Sequence, residues 1–138
     1  MKRRVLILCT GNSARSQMAE GILRHDGRDA FEVESAGVKP SSVRPEAIQV
    51  MMEIGIDISG SRSKSVDEFA GQAFDVVITV CDNAKETCPV FPGKTERVHR
   101  SFEYPPPPGV GSDEERLSIF RRVRDEIREW MKDFIAGR

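Results

Sequence analysis

Hydrophobic positions along this chain follow two rhythms in turn. Val5-Leu6-Ile7-Leu8 is an unbroken apolar run, the pattern of a short strand covered on both faces. Within Gln17 to Arg24, the pairs Met18/Ile22 and Ala19/Leu23 stand at helical spacing, which predicts a helix. Phe31 to Gly37 alternates apolar and polar residues and closes on a turn, so a second strand is expected there. Ala47 to Ile54 predicts a second helix, with Pro45 tolerated in its first turn and Gly55 near its end. Ile56 to Lys64 is polar and rich in serine and glycine and reads as a loop, followed by one helical turn at Val66 to Phe69. Phe74 to Val80 carries the strongest strand signal, and Glu96 to His99 a weaker one. The prolines at 105 to 108 exclude helix and central strand from the loop Phe102 to Gly111. A long final helix follows, opened by a capping box at Ser112 and Glu115, with Leu117, Phe120, Val123, Ile127, Trp130 and Phe134 on its core face.

Alternating strands and helices predict an α/β fold, a three-layer sandwich around a four-stranded, mainly parallel sheet. At 138 residues, with no repeat and no linker, positions 1–138 read as a single domain. The 21 basic and 22 acidic residues nearly cancel, which leaves no electrostatic footprint for nucleic acid. No apolar run approaches membrane-spanning length, and the stretch after Met1-Lys2-Arg3-Arg4 is too short for a signal peptide, so a cytoplasmic protein without a membrane partner is expected. Three cysteines in a reducing compartment argue against a structural disulfide framework and leave catalytic or redox use open. His25 and His99 are isolated and lack metal-ligand spacing, so each is expected to be exposed or loosely packed, and no metal is expected.

The chemistry concentrates in Cys9-Thr10-Gly11-Asn12-Ser13-Ala14-Arg15-Ser16. A cysteine ends the first strand and an arginine opens the first helix. The residues between them, Thr10, Gly11, Asn12, Ser13 and Ala14, are small or polar. A tight loop of this kind can turn its N–H groups inward, and the helix N-terminus adds positive potential. Together with Arg15 it forms a cradle for a tetrahedral oxyanion. Cys9 in that field is expected to favour its thiolate and to act as a nucleophile. In parallel sheets ligands sit beyond the carboxyl ends of the strands. Cys9 and Cys81 both end predicted strands, which would bring their sulfurs toward one edge.

The Cys-x5-Arg segment resembles the phosphate loop of the low-molecular-weight protein tyrosine phosphatases and of the arsenate reductases that share their fold. The segment Cys81 to Pro89 separates the two. On an unbroken helix Cys81 and Cys88 would lie about 10.5 Å apart along the axis, whereas a disulfide needs Cα atoms within roughly 7 Å. Any bridge between them would require this segment to loop or unwind, which Pro89 and the loop-tolerant Asp82, Asn83 and Thr87 make easier. The whole chain is similar to the thioredoxin-coupled arsenate reductases. The likeness rests on Cys9–Glu20, the Ser35-Ala36-Gly37 turn, Gly55-Ile56-Asp57-Ile58-Ser59, the Cys-x6-Cys-Pro segment, and Arg121 to Ile127. It implies the phosphotyrosine protein phosphatase I-like fold.

The resemblance also implies a three-cysteine relay. Cys9 attacks arsenate held by the loop and Arg15. Ser16 donates a hydrogen bond that keeps Cys9 ionised, and Asn12 holds the loop's shape. Cys81 then attacks Cys9 and releases arsenite, Cys88 takes over the bridge, and thioredoxin reduces it. It implies a monomer with no metal or organic cofactor, a role in arsenic resistance, and room for a weak phosphatase side activity. A glutaredoxin or mycothiol system could feed the same relay.

Three positions depart from the family pattern. Members usually carry an aspartate before a proline in the late loop as general acid. Here Tyr104 precedes Pro105, and the nearest carboxylate is Glu103. A tyrosine of ordinary pKa near 10 is a weak acid for this task, so Glu103 is the expected donor. Ala14 stands where many reductases have an additional cysteine outside the relay. Lys64 falls where some members use an aspartate to bind potassium near Asn12, Glu20 and Ser35, so its ammonium is expected to replace the ion. Two other readings stay open: a low-molecular-weight tyrosine phosphatase using Cys9 and Arg15 alone, and a non-catalytic oxyanion-binding or redox-sensing module.

Overall fold

The N-terminal apolar run becomes an inner strand. The computed structural model describes residues 2–82 and 91–137. In it β1 (Arg3–Cys9) lies between β2 (Phe31–Gly37) and β3 (Val76–Thr79), with β4 (Glu96–His99) beyond β3. Every pairing is parallel, so the four-stranded sheet expected to be mainly parallel is parallel throughout. Val5, Leu6, Ile7 and Leu8 are fully buried, which accounts for the unbroken apolar pattern: an inner parallel strand is covered on both faces. The ladder of β3 is shorter than its apolar run, although the Val80 N–H still reaches Leu8 O at 3.0 Å.

Three helices complete the described framework: α1 (Arg15–Gly27), α2 (Pro45–Met52) and α3 (Asp113–Ala136). Met18, Ala19, Ile22 and Leu23 carry α1 into the core, and α3 packs against both α1 and α2. The capping box forms as expected, with Ser112 Oγ accepting from Glu115 N–H and the Glu115 carboxylate from Ser112 N–H. Along α3, Met131 rather than Trp130 takes the deepest place. Trp130 lies half-buried at the rim, stacked on Phe134 at 5.7 Å and edge-on to Phe102 at 6.4 Å.

Two consequences of this topology build the site. Parallel register sets Cys9 opposite Gly37, and Cys81 follows the end of the neighbouring strand β3. Gly37 also has no room for a side chain, since a Cβ there would stand 2.6 Å from Thr10 O and 2.9 Å from Asn12 N. The absence of that atom lets the loop after β1 close over the end of β2.

Candidate active site

The loop from Cys9 to Ala14 owes its shape to its carbonyls. The N–H groups of Val38, Lys39, Ser41 and Arg44 donate to the carbonyls of Cys9, Thr10, Gly11 and Ser13 at 2.8–3.3 Å. Gln17 Nε2 takes the carbonyl of Asn12 at 3.1 Å. In a trans peptide the C=O of one residue and the N–H of the next point in opposite directions. Fixing these carbonyls outward therefore turns the N–H groups of Thr10 through Ala14 inward. Ala14, the N-cap of α1, has no capping side chain, so the first helical N–H groups remain available to an anion. The outcome is a cleft of about 400 Å³, walled by Cys9, Thr10, Gly11, Ser13, Ala14 and Arg15 and closed by Ser41, Cys81 and Tyr104.

Asn12 braces the loop from beneath. It adopts a left-handed backbone, φ 49°, a conformation asparagine tolerates better than most residues. Its Nδ2 donates to Ser16 Oγ at 2.8 Å and Ser35 Oγ at 2.9 Å, and its Oδ1 accepts from Gln17 Nε2 at 3.0 Å and Lys64 N–H at 2.8 Å. Ser16, expected to donate to Cys9, lies buried against Asn12, with its oxygen accepting.

Cys9 and Cys81 are both buried, and their side chains meet. Thr10 Oγ1 and Cys81 Sγ also lie 3.2 Å apart. The Cys9 thiol is pushed above its ordinary value, first by the hydrogen bond it shares with Cys81 and then by burial, while Arg15 and the Thr10 N–H pull in the opposite direction, toward the thiolate expected from the loop. Removing the Cys81 sulfur removes the largest raising effect, so the sign is a fall. In a Cys81→Ala/Cys88→Ala chain, Cys9 is expected to ionise at lower pH than in Cys88→Ala alone, with a larger thiolate fraction near neutral pH. Ultraviolet thiolate absorbance against pH measures this, and an unchanged or raised midpoint would contradict it.

Arg15, largely buried at the start of α1, donates from Nη1 to Phe102 O at 3.1 Å, and its guanidinium lies 4.9 Å from the Tyr104 ring centre. The structure does not bring Glu103 to the cleft. Its carboxylate pairs with Arg122 of α3 at 2.6 Å, and Tyr104 occupies the wall instead.

Residues 4–137 match the family described as low molecular weight phosphotyrosine protein phosphatase. An arsenate reductase of Halalkalibacterium halodurans is 46% identical over 133 residues, 96% of this chain and 95% of that protein. The chain belongs to this phosphatase family, among its arsenate reductases. A solved arsenate reductase in the phosphate-binding state has a TM-score of 0.79 and 34% identity, with 98% of each chain covered. A thioredoxin-dependent arsenate reductase of Corynebacterium glutamicum has a TM-score of 0.70 and 29% identity, covering 99% of this chain and 64% of that one.

Around this family's loop the structure brings Glu20, Ser35 and Lys64 together, as the family likeness implies, and ties down His99, which no local motif reveals. Ser35 Oγ donates to Glu20 Oε1 at 2.5 Å, and Lys64 Nζ lies 3.6 Å from the same oxygen, all three residues being buried. His99, expected to be exposed or loosely packed, is tied at Nδ1 to Thr79 Oγ1 at 2.8 Å and at Nε2 to Asp82 Oδ1 at 2.9 Å. Parallel register places Thr79 beside His99, a relation invisible before the strands are paired. Among the described residues no three His, Cys, Asp or Glu side chains gather to hold a metal ion. Cys88 lies outside the described residues.

Proposed function

We propose that this protein reduces arsenate to arsenite through Cys9, Cys81 and Cys88, with thioredoxin as the reductant. The observation that carries this reading is the meeting of Cys9 and Cys81 within an oxyanion cradle. A phosphatase needs Cys9 and Arg15 but has no use for a second thiol against its nucleophile.

The inward N–H groups and the Arg15 fork hold the anion. Cys9 bonds to arsenic and water departs. As charge develops on Cys9, Ser16 donates to it, its own oxygen already engaged by Asn12. Cys81 next attacks the Cys9 sulfur. The electrons of the sulfur–arsenic bond pass to arsenic, arsenite leaves, and a Cys9–Cys81 disulfide remains. Cys88 displaces Cys9 from that bridge, and thioredoxin reduces the resulting Cys81–Cys88 disulfide. The protein acts as a single-domain cytoplasmic monomer. Among the described residues no helix is long and apolar enough to cross a membrane.

The test is arsenate-dependent NADPH oxidation in the presence of thioredoxin and thioredoxin reductase. Turnover of arsenate supports the reading. Hydrolysis of an aryl phosphate with no response to arsenate would favour the phosphatase alternative.

Lys64 supplies a further expectation. Its ammonium already sits 3.6 Å from Glu20 and 3.9 Å from Glu34, in the ring that includes Ser35 and Asn12. A bound monovalent cation would add charge where one is present. Arsenate turnover is therefore expected to be equal in sodium and potassium buffers at matched ionic strength, and a strong rise with potassium would contradict this role.

A further inference from the structure

The cleft wall that holds Tyr104 bears on how an oxygen leaves once Cys9 attacks. A displacement at arsenic or phosphorus expels an oxygen roughly in line with the entering sulfur. That oxygen is a poor leaving group unless it is protonated, and a positioned acid typically contributes about 10²–10⁴-fold to such a step. None of the described residues lining this cleft is a carboxylic acid. Glu103, beside Tyr104 in the chain, is held by Arg122 at 2.6 Å, and Asp82, beside Cys81, is tied to His99 Nε2 at 2.9 Å. Tyr104 is present instead, with its ring over the Arg15 guanidinium at 4.9 Å.

The backbone that carries Tyr104 is fastened on both sides. Arg15 Nη1 takes Phe102 O at 3.1 Å, Arg44 Nη2 takes Pro106 O at 2.9 Å, and Arg122 holds the Glu103 side chain. Phe102 itself is buried, edge-on to Trp130 of α3. Position 104 is therefore a set part of the wall.

We propose that Tyr104 is a specificity-determining residue: its ring caps Arg15 on a wall whose described residues include no carboxylic acid, and so restricts the site to oxyanions that supply the leaving proton themselves. This rests on the reading of the cleft as an arsenate site. Arsenate near neutral pH still carries one or two protons. In the first step the Cys9 sulfur–arsenic bond forms and one arsenic–oxygen bond breaks. The departing oxygen leaves as water, with one proton it bore as a hydroxyl. Its second proton comes from another hydroxyl of the anion, or from the Cys9 thiol by way of an anion oxygen. No electrons are transferred in that step. A phosphate monoester has a second pKa of about 6 and is mostly a dianion at neutral pH. It brings no proton for its ester oxygen, and this wall supplies none from a carboxylic acid.

The test compares para-nitrophenyl phosphate with phenyl phosphate, whose leaving group is far more basic. For the wild-type protein, kcat/KM is expected to fall by about 10³-fold from the first ester to the second, as in departure without an acid. Tyr104→Phe should keep that ratio, because the ring and not the hydroxyl sets it. Tyr104→Asp, which places a carboxyl group on the wall, should shrink the ratio to about tenfold. Failure to hydrolyse either ester, with inorganic phosphate still competing against arsenate, also supports the proposal. A wild-type ratio below about tenfold would overturn it by revealing a protein acid. A ratio altered in Tyr104→Phe would assign the donor to the hydroxyl, and an unchanged ratio in a folded Tyr104→Asp would remove position 104 from the selection. Should Tyr104→Asp not fold, the wild-type and Tyr104→Phe ratios decide. Arsenate turnover measured on the same preparations separates the two ideas: its absence alongside a steep ester ratio would sink the reductase and leave Tyr104 in its role.

Discussion

Cys9→Ser is expected to abolish arsenate reduction, lowering arsenite formation by a factor on the order of 10⁴ or more, the scale on which loss of a nucleophile in a concerted unit reads out. Oxygen replaces sulfur at a buried position at the end of β1, so the change in volume is small. The loop around it is held by the hydrogen bonds of residues 38–44 and by Gln17, none of which involves the sulfur. The fold and the oxyanion cradle should therefore survive, and phosphate should still bind. Two capacities disappear. A serine hydroxyl does not ionise near neutral pH, and it cannot form the disulfide that releases arsenite. Arsenite formation in the thioredoxin-coupled assay measures the loss, and phosphate titration with thermal unfolding tests whether the scaffold is intact. Residual reduction within tenfold of wild type would mean that another thiol is the nucleophile.

The part of this site that could be read from the chain is the part whose neighbours are close in sequence. Cys9, Arg15 and the small residues between them declare a strand, a tight turn and a helix start within a single window. The turn geometry follows from those residue types. The expected Ser16–Cys9 bond came from the family likeness, and the Ser16 oxygen is engaged by Asn12. The choice between Glu103 and Tyr104 was lost at longer range. Arg122, on α3, withdraws the Glu103 carboxylate, while Arg15 and Arg44 fix the backbone that sends Tyr104 into the wall. Cys81 beside Cys9 is legible at long range because both end strands of one parallel sheet, and β3 pairs with β1 as that requires. His99 joins Thr79 through strand register, and Met131, outside the apolar stripe read on the last helix, is fully buried while Trp130 is half-buried. Lys64 is a further exception, a residue distant in sequence whose place beside Glu20 follows from the family likeness and agrees with the structure.

The relay makes a second expectation of comparable size, with different outcomes for its two later thiols. Cys81→Ser should give no arsenite, since the first adduct on Cys9 has no attacking sulfur beside it. The Thr10 and Cys81 side chains lie 3.2 Å apart, close enough for a serine hydroxyl to keep a polar partner there and preserve the wall. Cys88→Ser should behave otherwise. Cys9 and Cys81 are still in contact, so arsenite is released once and the protein stops as a Cys9–Cys81 disulfide. Rapid-quench measurement of arsenite per enzyme, before thioredoxin is added, is expected to give none for Cys81→Ser and one equivalent for Cys88→Ser. Steady-state turnover with thioredoxin should fall on the order of 10³-fold or more in both, provided that the reductant attacks the Cys81–Cys88 bridge far faster than the buried Cys9–Cys81 bridge. The contrast between none and one is the decisive outcome, because a general loss of folding would remove both bursts. Full turnover in Cys88→Ser would show that thioredoxin reaches the first disulfide directly, and the relay would then consist of Cys9 and Cys81 alone.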